Sequence, residues 1–291
     1  MTDLKLHLRD GDTADGPWSL VVTPEQAGWA YCGLRVLELA PGSIHSFATG
    51  PDELLVMPME GGGVVECESR RFELAGRDGV FSGVTDFAYV PRDAEVRVSS
   101  ARGGRFILPS ARATSRLEPA YGPAEGVPVE LRGAGQASRQ VNNFCTPASF
   151  PADKLMVVEV LTPGGNWSSY PPHKHDEQRD DEAELEEIYY FEVNGHGGLG
   201  YQRVYSSGPD RQIDLLAEVG SGDVVLVPYG YHGPSMAAPG YDLYYLNVMA
   251  GPAEERIWRF CDDPAHAWVR GTWEGQAIDP RLPLTGPGGR Q

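Results

Sequence analysis

The chain has 291 residues, enough for two modest domains or one large one, and its 41% hydrophobic and 10% aromatic content is that of an ordinary soluble fold. Forty-one Asp and Glu against 24 Lys and Arg leave a net charge of −17, which excludes nucleic acid or an anionic membrane as the main partner, since both need clustered cations. No apolar run reaches the roughly 20 residues needed to cross a bilayer, and residues 1–7 lack a basic-then-apolar leader, so a cytoplasmic location is expected.

Taken in chain order, short runs rich in Val, Tyr, Phe, Leu and Ile recur between Gly, Pro and Asp clusters. They fall at 34–39, 53–57, 63–67, 87–90 and 105–108, then at 154–161, 187–193, 201–205, 223–227 and 243–249. This spacing predicts an all-β sandwich or barrel. Helices are expected only as short pieces near 253–259 and 264–269, because 36 Gly and 24 Pro favour turns. The four cysteines, Cys32, Cys67, Cys145 and Cys261, form no C-x-x-C pair and read as isolated buried thiols.

The two halves repeat one another. Glu53-Leu-Leu-Val-Met-Pro-Met-Glu-Gly61 matches Glu187-Ile-Tyr-Tyr-Phe-Glu-Val-Asn-Gly195 with the same Glu-to-Gly distance, and Asp86-Phe-Ala-Tyr-Val-Pro91 matches Asp223-Val-Val-Leu-Val-Pro228. The matched segments start 33 residues apart in the first half and 36 in the second. A period this long predicts two copies of a whole barrel. The expected division is a first barrel over 1–115, a linker over 116–130, a second barrel over 131–278 and a Pro/Gly-rich flexible tail over 279–291.

Chemistry concentrates in the second half. In Tyr170-Pro-Pro-His-Lys-His-Asp176, His173 and His175 stand two apart, so on an extended strand both imidazoles share one face. His232 follows the turn signal Pro228-Tyr-Gly230, which can bring it back over a barrel mouth. With one carboxylate these imidazoles can hold a divalent ion and leave positions for water or substrate. Glu187, heading a strand, is the chosen carboxylate, with Asp180 and Glu177 as alternatives from an acidic insert that otherwise reads as a solvated loop. The first half has His45 and then Phe47, and Glu95 where His232 stands, so it lacks the set. Arg139 and Arg203 are cationic candidates for a substrate carboxylate. Gln202 and Tyr229 complete the substrate-binding set, and Gln202 and Arg203, being adjacent, must face opposite sides of their strand.

These segments resemble the cupins, which implies two tandem jelly-roll barrels and a three-His-one-Glu metal site at His173, His175, Glu187 and His232. More narrowly, Ser169–Asp176, Leu185–Tyr190, Gly200–Tyr205, Gly222–Pro228 and Gly240–Gly251 resemble the 5-deoxy-glucuronate isomerases of bacterial myo-inositol catabolism. That resemblance implies a metal-dependent aldose–ketose isomerase of a deoxy-uronic acid, with zinc or manganese expected and iron as the alternative. Tyr245, a second carboxylate or a metal-bound hydroxide would then move the proton, with a hydride shift as the alternative to proton transfer. A homo-oligomer is left open. The rival readings are an iron-dependent cupin dioxygenase, a related deoxy-hexosulose-uronate isomerase and a non-catalytic sugar-binding bicupin.

Overall fold

In the computed structural model, which describes residues 5–285, nearly all regular structure is β-strand. Every one of the ten apolar runs lies on a strand. The short helix expected over 253–259 does not form; that stretch is bends and extended chain, and the second expected piece appears as a 3-10 helix at Ala267–Gly275.

The first half forms one nine-stranded sheet curled on itself, and the second half forms a seven-stranded and a six-stranded sheet facing each other. These are two tandem jelly-roll barrels. In the first, strand Asp52–Cys67 is 16 residues long; its early part pairs with Gly104–Arg112 and Phe87–Val90, its late part with Arg70–Arg77 and Glu95–Ser100. The change of partner falls at Gly61 and Gly62. Gly61 has φ +77°, and a Cβ on Gly62 would sit 2.5 Å from the Ala75 carbonyl oxygen, so only glycine lets the strand pass here.

Two short strands are notable for where they pair. His7–Leu8 adds to Val224–Val227, so the start of the described chain belongs to a sheet of the second half. Ala120–Gly122, inside the expected linker, pairs with Phe87–Val90 of the first. The start of the expected tail is docked: Leu284 and Thr285 are buried, and the Thr285 N–H donates to Gln140 Oε1 at 3.0 Å. Residues 286–291 of that tail lie outside the described residues.

Strands at the junction are buried on both faces, so they read as continuous apolar runs rather than alternating ones. In Leu243–Ala250, Tyr244, Leu246 and Val248 join the core shared by the two halves, while Leu243, Tyr245 and Met249 point into the second barrel. The first barrel is filled by its own apolar set, including Leu37, Leu54, Val56, Val98 and Phe106. Across the junction the Arg77 guanidinium meets Glu159 at 2.5 Å, both fully buried.

A reciprocal pair of carboxylates also crosses the junction. Glu53 accepts the backbone N–H groups of Asp153, Lys154 and Leu155 at 2.6–2.8 Å; Glu186 accepts those of Ala30, Tyr31 and Cys32 at 2.7–2.9 Å. Each also faces an alanine on the neighbouring strand, Ala111 and Ala250 respectively. Glu53 therefore corresponds to Glu186, and the residue corresponding to Glu187 is Leu54. The sequence match of Glu53 with Glu187 is out by one residue, and a one-residue shift reverses the faces of a strand. Glu53 and Glu186 face the partner barrel; Leu54 and Glu187 face the interior of their own.

Candidate metal centre

His173–Lys174 pairs with Tyr231–Ala237 in a register that sets His173 directly opposite His232. The extended chain carries His175 to the same side, and the ligand nitrogens of the three histidines come within 4.8 Å of one another. Glu187 reaches the same point from the facing sheet, on Glu186–Val193. Its Oε2 lies 3.1 Å from His175 Nε2 and 2.9 Å from His232 Nε2. Glu177 and Asp180 are exposed on the insert. Glu177 pairs with Lys174 and Arg179, and Asp180 accepts from Arg259 through its carbonyl, so neither is turned to the imidazoles.

The second nitrogen of two of these rings is already spoken for. His175 Nδ1 lies 3.1 Å from the Leu185 carbonyl oxygen, and His232 Nδ1 lies 3.3 Å from that of Gly230. A neutral ring that donates from Nδ1 carries a lone pair on Nε2. Both Nε2 lone pairs then converge on one carboxylate oxygen, itself an acceptor. His232 Nε2 is buried and, although close to Glu187, has no aligned hydrogen-bond partner among the described residues. Acceptors crowded in this way call for a cation, and imidazole with carboxylate suits a first-row divalent ion. The residues fit a metal.

Electrostatics agree. Burial alone would raise the Glu187 carboxyl, but the adjacent His232 and His175 outweigh it and hold it well below the usual carboxylate range. Burial, reinforced by His232 and His175, keeps His173 far below the ordinary imidazole value and so neutral. His175 moves the other way: burial lowers it, and the proximity of the Glu187 carboxylate outweighs that. At neutral pH the centre offers an ionised carboxylate and at least one neutral ring.

Behind the ligands lies a buried ionic cluster. Lys174, facing away from its histidine neighbours, donates to Asp176 at 2.7 Å and Glu182 at 2.9 Å. Asp176 also accepts the Gly230 N–H at 2.8 Å, which ties the His173/His175 segment to the turn that carries His232. Part of the acidic insert is thus a packed support rather than a solvated loop: Glu182 is fully buried and takes the Asp176 and Glu177 N–H groups as well.

A cavity of about 40 Å³ opens beside the ligands, lined by His173, Glu187, Tyr189, Tyr245, Asn247 and Arg139. Trp258, Phe260 and Arg270 roof it, with the Phe260 ring 4.7 Å from that of His173. Of the substrate residues expected from sequence, Arg139 lies in the cavity. It is buried, donates only to the Ala137 carbonyl oxygen at 3.0 Å, and has no carboxylate at ion-pair distance among the described residues. Tyr245 lines the same space, its hydroxyl 3.3 Å from Ser169 Oγ; burial pushes its phenol up. Gln202 points into the barrel but bonds to Ser235 and does not reach the cavity. Arg203 and Tyr229 are not brought to it. Arg203 is on the outer face, paired with Asp214, and Tyr229 donates to the Gln212 carbonyl oxygen. Sequence reasoning passed over Asp176, Glu182, Asn247 and Trp258; the Asp and Glu could have been found by asking what neutralises a lysine between two ligands.

A family model described as the KduI/IolB family matches residues 6–269. The chain belongs to the KduI/IolB family. Within this family it is 44% identical over 251 residues to the 5-deoxy-glucuronate isomerase of Geobacillus kaustophilus (85% of this chain, 89% of the relative) and 39% identical to that of Bacillus subtilis strain 168 (85% and 91%). The crystal structure of an iolB-like protein from Salmonella typhimurium LT2 superposes with a TM-score of 0.85 at 35% identity, covering 91% of this chain and 99% of that one. The oxalate decarboxylase of Lactobacillus farciminis superposes at 0.62 with 12% identity over 90% of this chain and 89% of its own, a likeness of fold alone. This KduI/IolB member is therefore an isomerase built on two tandem jelly-roll barrels, and among its described residues no helix is long and apolar enough to cross a membrane.

Proposed function

We propose that the protein is a metal-dependent aldose–ketose isomerase converting 5-deoxy-D-glucuronate to 2-deoxy-5-keto-D-gluconate, a cytoplasmic step of myo-inositol catabolism. The relatives named 5-deoxy-glucuronate isomerase support the substrate and reaction. The observation that carries the reading is the meeting of two carbonyl-anchored imidazoles on one Glu187 oxygen beside a cavity that holds an unpaired buried arginine.

In this reading the second barrel, about residues 131–278, is the catalytic half. His173, His175, Glu187 and His232 hold zinc or manganese, with iron as the alternative. When bound, the ion would supply Lewis acidity toward a carbonyl oxygen. Arg139 grips the far carboxylate of the open-chain acid, which fixes C1 and C2 at the ligand end of the cavity. Tyr245, kept protonated by burial, carries a proton at Oη, with Ser169 Oγ as the next hydroxyl. The reaction moves a hydrogen from C2 to C1 and a hydroxyl proton from O2 to O1, so nothing is gained or lost overall. A space of about 40 Å³ holds only a few waters, so the roof of Trp258, Phe260 and Arg270 shifts to admit a six-carbon acid.

The test is conversion of 5-deoxy-D-glucuronate by purified, metal-supplemented protein, followed by proton NMR in D₂O. Growth of the ketose at the expense of the aldose supports the reading, and deuterium on the former aldehyde carbon, C6 of the 5-keto product, marks proton transfer through solvent. No conversion with zinc, manganese or iron supplied would end it.

A further inference from the structure

Two groups in the cavity wall are left over once the ligands, Tyr245 and Arg139 have been given roles. The amide nitrogen of Asn247 is buried in a residue 4% exposed and has no hydrogen-bond partner among the described residues. It stands across the strands from Tyr189, whose phenol burial and the Glu187 carboxylate push up, and makes no hydrogen bond of normal geometry with it. The indole Nε1 of Trp258 is likewise buried and unpartnered. Both residues line the cavity. A buried donor without an acceptor costs free energy, and such groups persist where a ligand or water completes them.

Their positions differ in a way that assigns them different targets. Asn247 stands opposite Tyr189 in the strand pairing, one inward position from the Glu187–Met249 pair, and so belongs to the metal end. Trp258 belongs to the roof, with the Arg132 guanidinium 5.6 Å from its ring. Of the three arginines lining the cavity, Arg132 is forked onto Glu130 and Arg270 onto Asp262, which leaves Arg139 as the one without a carboxylate. Arg139 thus offers the cavity a positive charge that no carboxylate among the described residues pairs.

We propose that Asn247 and Trp258 are the specificity-determining donors of this site: Trp258 Nε1 shares the substrate carboxylate with Arg139, and Asn247 Nδ2 donates to a hydroxyl oxygen of the sugar near C2. The proposal rests on the sugar-acid reading above and deepens it. It makes a distinction that the reading itself does not. Loss of the indole N–H should matter only when the ligand carries a carboxylate, whereas loss of the amide should matter equally for a sugar acid and for its neutral counterpart.

The experiment compares 5-deoxy-D-glucuronate with 5-deoxy-D-glucose, in which a CH₂OH group replaces the carboxylate, on metal-loaded wild type, Trp258→Phe and Asn247→Leu. Calorimetric Kd, KM and kcat are measured, and bound metal is assayed in each protein. Trp258→Phe keeps a six-membered aromatic ring beside Arg132 and removes the N–H with the five-membered half of the indole, a loss of packing that the neutral sugar reports separately. It should weaken the acid roughly 10- to 100-fold, the range for a hydrogen bond to a charged group, and leave the neutral sugar within about 2-fold. Asn247→Leu, nearly the same shape, should weaken both ligands by roughly 3- to 10-fold with metal content unchanged. Asn247→Ser, which restores a small donor, should recover part of that loss and serves as the test if the leucine variant misfolds. Equal losses on acid and neutral sugar in Trp258→Phe, or wild-type affinity in both variants, would overturn the proposal while leaving the isomerase reading intact. Wild-type protein that neither binds nor converts the acid would remove both.

Discussion

Replacing Arg139 by methionine should make the protein a poorer catalyst without making it less stable. Arg139 is 5% exposed, and burial, the main cause, with Arg132 and Arg270 adding to it, pulls its pKa down to about 10 from 12.5. At 1.36 kcal/mol per pH unit this corresponds to a cost of about 3 kcal/mol for keeping the charge in the ligand-free protein. Its offsets are small: one hydrogen bond to Ala137, worth about 1 kcal/mol, and stacking on Trp273 at 5.7 Å, worth about 1 kcal/mol. Methionine fills the volume with an apolar chain, so Arg139→Met should unfold at the same temperature as wild type or up to a few degrees higher. In the substrate complex the same group makes two charge-assisted hydrogen bonds, and their loss should lower kcat/KM roughly 10²- to 10³-fold. Differential scanning calorimetry of the metal-loaded proteins and NMR turnover give both numbers. A variant that unfolds well below wild type while converting substrate normally would show Arg139 to be a structural residue, and the carboxylate clamp would be lost with it.

The junction between barrels carries further tests. Glu53→Gln and Glu186→Gln each weaken a carboxylate that takes three backbone N–H groups, so each should cost about 2–3 kcal/mol in chemical unfolding. Arg77→Met alone should cost about 3–5 kcal/mol by stranding Glu159, and Arg77→Met with Glu159→Leu should recover most of it. Asp223 holds His7, Arg9 and the Asp10 N–H; burial would raise its pKa, but its bonds from His7, Gly220 and Asp10 hold it below 3.8. A depressed folded-state pKa means this contribution is complete above about pH 4 and is lost as pH falls through the folded value. Asp223→Asn should therefore narrow the stability gap to wild type between pH 5 and pH 2, and an unchanged gap would remove Asp223 as the anchor of His7–Leu8.

What the sequence disclosed was what depends on local period. His173 and His175 were visible because alternation along one strand puts both rings on one side, and the barrels because ten short runs repeat across two halves. Glu187 stands at the head of its strand as expected, but its match with Glu53 does not hold: spacing to the following glycine favours Glu187, and only the pairing with Ala111 and Ala250 shows that Glu186 is the counterpart. Arg203 failed on the same point, since the face of a strand is fixed by its neighbours, here Asp214 across Asp214–Val219. Asn247 and Trp258 carry no local signal at all. Their significance comes from lacking partners, which becomes visible only when everything around them has been placed.

The most direct measurement is the metal content of dialysed protein by elemental analysis, set beside its turnover of 5-deoxy-D-glucuronate before and after a chelator. About one mole of a first-row divalent metal per chain is expected, with turnover lost on chelation, restored on re-addition, and metal below about a tenth of a mole in His173→Ala combined with His232→Ala. Full turnover by protein free of metal, or one mole retained by the double variant, would contradict a centre built from His173, His175, Glu187 and His232.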